Sequence, residues 1–136
     1  MATETLLNAG ADFIAKLFLH KISAPTDLVL HLYVNNHTPA VTDTTAAYTE
    51  CSALGYASVG LTNANWTGTV AGGVADYTYP AITFTFTSGL GQTVYGIYIT
   101  DAPGDVVLAG LLDTAFPIPI GGGSLVVNLE HKQRQC

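Results

Sequence analysis

Between residues 82 and 87 the chain alternates strictly, with Ile82, Phe84 and Phe86 on one side and Thr83, Thr85 and Thr87 on the other. That period of two is the signature of a strand with one buried face. Residues 28–34 repeat it: Leu28, Leu30, Leu32 and Val34 alternate with Val29, His31 and Tyr33. Weaker alternation marks residues 55–61 and 94–100, and strands are also expected at 106–110 and 124–130. Turn chemistry separates these runs. Asn35-Asn36-His37-Thr38-Pro39, Ser88-Gly89-Leu90-Gly91 and Asp101-Ala102-Pro103-Gly104-Asp105 are dense turn signals, and Gly121-Gly122-Gly123 reads as a hairpin turn. Residues 70–76 read as a Gly-rich connection. The two prolines of Phe116-Pro117-Ile118-Pro119-Ile120 exclude a central strand and predict an edge or an extended arm.

The period changes only at the beginning. From residue 4 to about 20, Leu6, Leu7, Phe13, Ile14, Leu17 and Phe18 recur at helical spacing. Thr3 or Thr5 could cap this helix, and Ser23-Ala24-Pro25 ends it. Gly10 at its centre costs about 1 kcal/mol relative to alanine, so the helix depends on packing. Seven or eight short strands with a turn about every 8 to 12 residues predict an antiparallel β-sandwich or jelly roll. The expected fold is therefore mainly β with one N-terminal α-helix, in a single domain. Its parts are a helix within 1–22, a sandwich over 26–130 and a flexible tail at 131–136.

Composition changes this picture in one respect. Of the 136 residues 49% are apolar and only 10% charged, against roughly 25% charged in ordinary soluble domains. No stretch reaches the roughly 18 apolar residues of a spanning helix, because Asn8, Asp12 and Lys16 interrupt the best one. No membrane partner is expected, and the missing charge reads instead as surface hidden in assembly. A self-associated dimer or trimer is the simplest form of that expectation. The net charge of −6, with Lys16, Lys21, Lys132 and Arg134 as the only Lys and Arg residues, argues against nucleic acid. The beginning of the chain carries no basic region followed by an apolar run and a cleavage site. Cys51 and Cys136 read as two unrelated thiols rather than a bridge.

Catalytic patterns are weak throughout. Asp101 and Asp105 could be imagined as a carboxylate pair or a calcium loop, but aspartates in a tight turn have the simpler role of bonding its backbone. Of the histidines only His31 and His37 are close in sequence, and a zinc site would need two more ligands from elsewhere, so a strand-face His31 and a turn His37 are expected. Cys51 with His37 lacks a supporting motif. Gly121-Gly122-Gly123-Ser124 lacks the spacing of a nucleophile elbow or a phosphate loop. Trp66 and seven tyrosines could form a sugar-stacking platform or ordinary sandwich packing. No enzyme activity and no cofactor are expected.

The order of several blocks carries a resemblance. Leu32-Tyr33-Val34-Asn35-Asn36-His37-Thr38-Pro39 is followed by Tyr48-Thr49-Glu50, Gly55-Tyr56 and Leu61-Thr62-Asn63-Ala64-Asn65-Trp66. Phe84-Thr85-Phe86 and Val94-Tyr95-Gly96-Ile97-Tyr98-Ile99-Thr100-Asp101 close the series. Over residues 28–110 this order resembles small virion proteins of tailed bacteriophages, most of all capsid decoration (cement) proteins. The resemblance implies a jelly roll on the capsid exterior, made in the host cytoplasm, with the major capsid protein as partner. A tail-fibre or head-fibre module recognising a host glycan or receptor is the alternative. The expected contact residues are Phe13, Leu17 and Phe18 on the helix and Phe116, Ile118 and Ile120 on the proline arm.

Overall fold

The structure, a computed structural model, describes residues 3–19 and 27–134. It is mainly β, with antiparallel sheets and one short helix. The strands are β1 (Thr3–Leu6), β2 (Asp27–Tyr33), β3 (Val59–Thr62), β4 (Thr67–Ala71), β5 (Val74–Thr78), β6 (Ile82–Phe86), β7 (Thr93–Thr100), β8 (Val106–Pro117), β9 (Gly123–Val127) and β10 (Glu130–Arg134). The helix, α1, spans Asn8–Phe18. Five strands form one sheet in the order β1-β8-β7-β2-β3, three form a second as β10-β5-β4, and β6 pairs with β9. Among the described residues no helix is long and apolar enough to cross a membrane.

The strongest alternation in the sequence builds the core. Leu30 and Leu32 of β2, Ile97 and Ile99 of β7 and Val107 of β8 meet Ile82, Phe84 and Phe86 of β6 and Val127 of β9. The core thus lies between the five-stranded sheet and the β6–β9 pair, a sandwich-like arrangement. Thr83 and Thr85 face solvent, as their period requires.

The other face of β2 and β7 is also covered. Tyr33 and Tyr98 pack with Leu7, Tyr48, Val106 and Ala109 into a second cluster. β2 is therefore buried on both faces, and the positions opposite its leucines hold His31 and Tyr33 rather than solvated charges.

Five local expectations are corrected. The helix starts at Asn8, not residue 4, because Thr3–Leu6 pairs antiparallel with Leu108–Leu111 as β1. The Gly-rich connection at 70–76 is instead the β4–β5 hairpin, closed at Ala71↔Val74 around Gly72 and Gly73. Both glycines have positive φ, 58° and 77°, as a type I′ turn demands. The strand expected at 55–61 shortens to β3. The strand expected at 124–130 divides into β9 and β10 around Asn128 and Leu129. The tail expected to be flexible continues β10 through Arg134, paired with β5 from Glu130↔Thr78 to Arg134↔Val74; residues 135 and 136 lie outside the described residues.

The proline arm behaves as its chemistry requires. β8 runs to Pro117, which pairs with Thr93 on the β7 side. β1 reaches only to Leu111 on the other side, so the ring of Pro117 interrupts no second ladder.

Candidate functional site

Two features on the folded chain are organised enough to act as sites: a polar and aromatic layer on the outer face of β2 and β7, and an apolar end formed by three loops.

The layer begins with His31 at the middle of β2. Its neighbour in register, Tyr98 of β7, stacks on the imidazole at 4.6 Å between centroids and 9° between planes. Glu50 arrives from the segment running beside β2, held by the Tyr33↔Glu50 bridge and by Cys51 N–H donating to the Leu32 carbonyl at 2.9 Å. His31 Nδ1 lies 2.7 Å from Glu50 Oε2, and Nε2 lies 2.9 Å from Thr100 Oγ1. A carboxylate only accepts, so Nδ1 carries a proton toward Glu50, and Nε2 faces the Thr100 hydroxyl, which can donate or accept. Tyr56 donates to the same Glu50 Oε2 at 2.7 Å, and its hydroxyl accepts the Leu32 N–H at 3.2 Å. Burial first and Glu50 second raise the Tyr56 hydroxyl well above its ordinary value, and the same two causes bring Tyr98 up to about 12.

A second centre adjoins the first through Tyr48, which stacks on Tyr98 at 5.2 Å. One oxygen of Asp43, Oδ2, accepts from His37 Nε2 at 2.6 Å, the Ala40 N–H at 2.8 Å and the Tyr48 hydroxyl at 2.8 Å. Burial alone would raise this carboxyl, but those three bonds and the His37 charge outweigh it and hold Asp43 below its ordinary value. Tyr33, fully buried, donates to the His37 carbonyl at 2.9 Å and is pushed up to about 12 by burial and then by Asp43. Asn35 ties the loop down, donating to the Ala47 carbonyl and accepting the Thr49 N–H.

In order, hydroxyl, imidazole and carboxylate at Thr100, His31 and Glu50 match the donors and acceptors of a nucleophile relay. Position works against that chemistry. Thr100 is 6% exposed. A cavity of about 260 Å³ lies elsewhere, lined by Ile97 and Ile99, which leave the opposite face of β7, together with Leu6, Trp66, Tyr77 and Leu129. What the layer does is satisfy buried polar groups and lock the segment around Asn35, Asp43, Tyr48 and Glu50 onto β2.

The apolar end is built from the loops at 52–55, 87–92 and 118–123, none of which holds a charged residue. Leu54 N–H donates to the Ser88 carbonyl at 3.1 Å, and Ile118 N–H donates to the Gln92 carbonyl at 3.0 Å. The Gln92 side chain clamps the first loop, accepting the Ser52 N–H at 3.0 Å and donating to Ser52 Oγ at 2.8 Å. From this frame Leu54 is 55% exposed, Leu90 59% and Ile120 85%.

The expected site residues separate accordingly. Ile120 is at the apolar end. Ile118, one turn of alternation away, is 5% exposed inside the main core and cannot offer its side chain to a partner, which corrects its expected contact role. Phe116 is partly buried and packs against Phe86 at 6.3 Å. Phe13, Leu17 and Phe18 lie along α1, and their side chains fall outside the described residues. The aspartates of the 101–105 turn are turn chemistry: Asp101 Oδ1 accepts the Asp105 N–H at 2.8 Å. Among the described residues no cluster of His, Cys, Asp and Glu suits a metal. Tyr33, Tyr48 and Tyr98 are buried and present no stacking platform, while Trp66, partly buried, packs edge-on against Tyr79 at 5.1 Å.

Glu50, Thr100, Asp43, Gln92, Leu54 and Leu90 lie in no sequence pattern that marks a site, and His31 is bonded to Glu50 and Thr100 rather than set beside His37 as a metal ligand. One signal was readable: Tyr33 shares the period of His31 on β2, as Thr100 shares that of Tyr98 on β7, which marks a second covered face. A scan against family models finds no match to this chain, and a search of curated proteins finds no relative.

Proposed function

We propose that this chain is a non-enzymatic virion structural protein that decorates and stabilises a tailed-phage capsid, binding from the exterior between subunits of the major capsid protein. The observation that carries this reading is the charge-free apolar end. Leu54, Leu90 and Ile120 are exposed on loops that Gln92 and backbone hydrogen bonds hold in one arrangement. Exposed apolar groups on a fixed frame lose little conformational freedom on docking. The sequence blocks of the resemblance give a second support. Tyr33, His37, Tyr48, Glu50, Tyr56, Tyr98 and Thr100 all come from those blocks, and the fold joins them in one layer of bonds and stacked rings that serves the scaffold rather than an open cleft.

A ligand that binds the assembled shell and not the free subunits stabilises the shell by mass action, by about 2.7 kcal/mol per site at 100 times the dissociation constant. Repeated over a shell, a small apolar contact suffices. The experiment compares bare and decorated shells for resistance to heat and chelator, with Ile120→Asp as the third arm. Decorated shells should survive conditions that open bare ones, and Ile120→Asp should lose the effect while remaining folded. Equal robustness of bare and decorated shells overturns the reading and turns attention to a fibre module that binds a host glycan or receptor.

A further inference from the structure

The three-stranded sheet ends in two unlike edges. β10 carries Glu130, Lys132 and Arg134, charges of the kind that keep an edge from pairing with another chain. β4, at the opposite edge, reads Thr-Gly-Thr-Val-Ala. It has no charge, no proline and no bulge in its register with β5, and every one of its residues is exposed. Among the described residues β5 is its only strand partner.

The pairing of β4 with β5 dictates what the open edge presents. Ala71↔Val74 closes a two-residue turn, and the pair that closes such a turn exchanges both backbone bonds. Hydrogen-bonded and non-hydrogen-bonded pairs then alternate along the ladder. Thr67, Thr69 and Ala71 spend their amides on β5, whereas Gly68 and Val70 direct theirs outward.

We propose that β4 pairs antiparallel with β4 of a second copy of this chain about a two-fold axis through Thr69, joining two three-stranded sheets into one. In this register Gly68 of one protomer lies opposite Val70 of its partner, and each such pair exchanges both its N–H···O bonds. Side chains fit as well as backbones. The Tyr77 ring covers Gly68 so closely that a Cβ there would come within 2.5 Å of it, and the ring itself is 41% exposed. Val70, 72% exposed, is the largest apolar side chain of the strand and shares the sheet face of Gly68 and Tyr77. Pairing about Thr69 sets Val70 of each protomer beside the Tyr77 ring of the other. A protruding side chain and the exposed ring it packs beside stand at neighbouring register positions on one hairpin face, which is the self-complementarity a two-fold interface requires. Charge agrees: each chain carries −6, and an uncharged strand lets two copies meet without like charges directly opposed.

The test needs no shell, so its outcome is separate from that of the capsid reading. The purified chain is examined by sedimentation from about 1 µM to about 1 mM, then with Val70→Lys. In a Cys51→Ala, Cys136→Ser background, Thr69→Cys and, as control, the outward-facing Thr83→Cys of β6 are oxidised. Wild-type protein should reach twice the 14.2 kDa chain mass, and Val70→Lys should raise the dissociation constant at least about tenfold. Thr69 pairs with itself at a non-hydrogen-bonded position, where Cα atoms stand about 4.5 Å apart, within disulfide reach. Thr69→Cys should therefore form a covalent dimer and Thr83→Cys should not. The cross-link is read on chains with Val70 intact, so it decides the matter even where Val70→Lys fails to fold. A monomer throughout the range, or a dimer in which Thr69→Cys cross-links no faster than Thr83→Cys, overturns the proposal.

Discussion

Asp43 concentrates more of the outer layer on one atom than any other side chain: a single oxygen accepts from His37, Tyr48 and the Ala40 N–H. Removing it strands three donors, two of them on side chains that pack against each other at 5.4 Å. Asp43→Ala should therefore cost roughly 2–4 kcal/mol in urea unfolding, more than loss of one ordinary hydrogen bond. Because the folded carboxyl lies below its ordinary value of 3.8, its contribution is complete above that pH and disappears as pH falls through the lower folded value. Wild-type stability should decline on that side of pH 3.8 more steeply than that of Asp43→Asn. Tyr33 and Tyr98 act at the opposite extreme. Both rise from 10.0 to about 12 on folding, mainly through burial, so their contribution holds below pH 10 and is lost as pH rises from 10 through 12. The tyrosinate absorbance of these two should appear together with loss of near-ultraviolet dichroism in that window; their ionisation near pH 10 in folded protein would contradict it.

At the level of elements, α1 and β8 meet at Gly10, where an added Cβ would collide with the Val107 carbonyl and approach the Leu6 side chain at 2.8 Å. Helix propensity alone says Gly10→Ala should gain about 1 kcal/mol. Backbone contact decides otherwise, because the Val107 carbonyl is fixed by the sheet and also accepts the Leu7 N–H. Gly10→Ala should lower the thermal midpoint; a rise would mean that α1 does not rest on β8. The same residue shows what was legible. The helical spacing of Phe13, Ile14, Leu17 and Phe18 placed a helix correctly, and its reliance on packing could be inferred from Gly10. Its beginning could not, since Thr3–Leu6 becomes a strand only through Leu108–Leu111, a hundred residues away in sequence. β10 was hidden for a related reason: Glu130 to Arg134 looks like a solvated end until β5 supplies the ladder. The β4–β5 hairpin is different. Gly72-Gly73 between short β-prone runs is a recognised two-residue turn, and the abundance of glycine around it concealed a signal that was present.

Across the whole molecule, two covered faces and one bare apolar end account for the high apolar content and low charge better than composition could. Period-2 alternation located the inner core, with Ile82, Phe84 and Phe86 inward. The proline arm was marked as a contact element, but only folding distinguishes Ile118, inside, from Ile120, 85% exposed. Leu54 and Leu90 join Ile120 through loop-to-loop bonds that no local pattern encodes. Leu90 is the telling residue of that end. Its φ of 51° makes it the one non-glycine residue with positive φ among those described, a conformation that costs a branched side chain about 1 kcal/mol or more. A side chain 59% exposed recovers little of that cost within the free chain. Glycine adopts such an angle without strain, as neighbouring Gly91 does with φ 73°. If Leu90 is retained for contact with a shell, Leu90→Gly must move stability and function in opposite directions. The isolated chain should keep or slightly raise its thermal midpoint, while occupancy of shells at a fixed protein concentration falls at least about threefold, the loss of roughly 0.7 kcal/mol of apolar contact. Calorimetry on the free protein and densitometry of decorated shells read the two effects separately. A variant less stable alone yet equal in occupancy would make Leu90 a packing residue and remove it from the proposed contact.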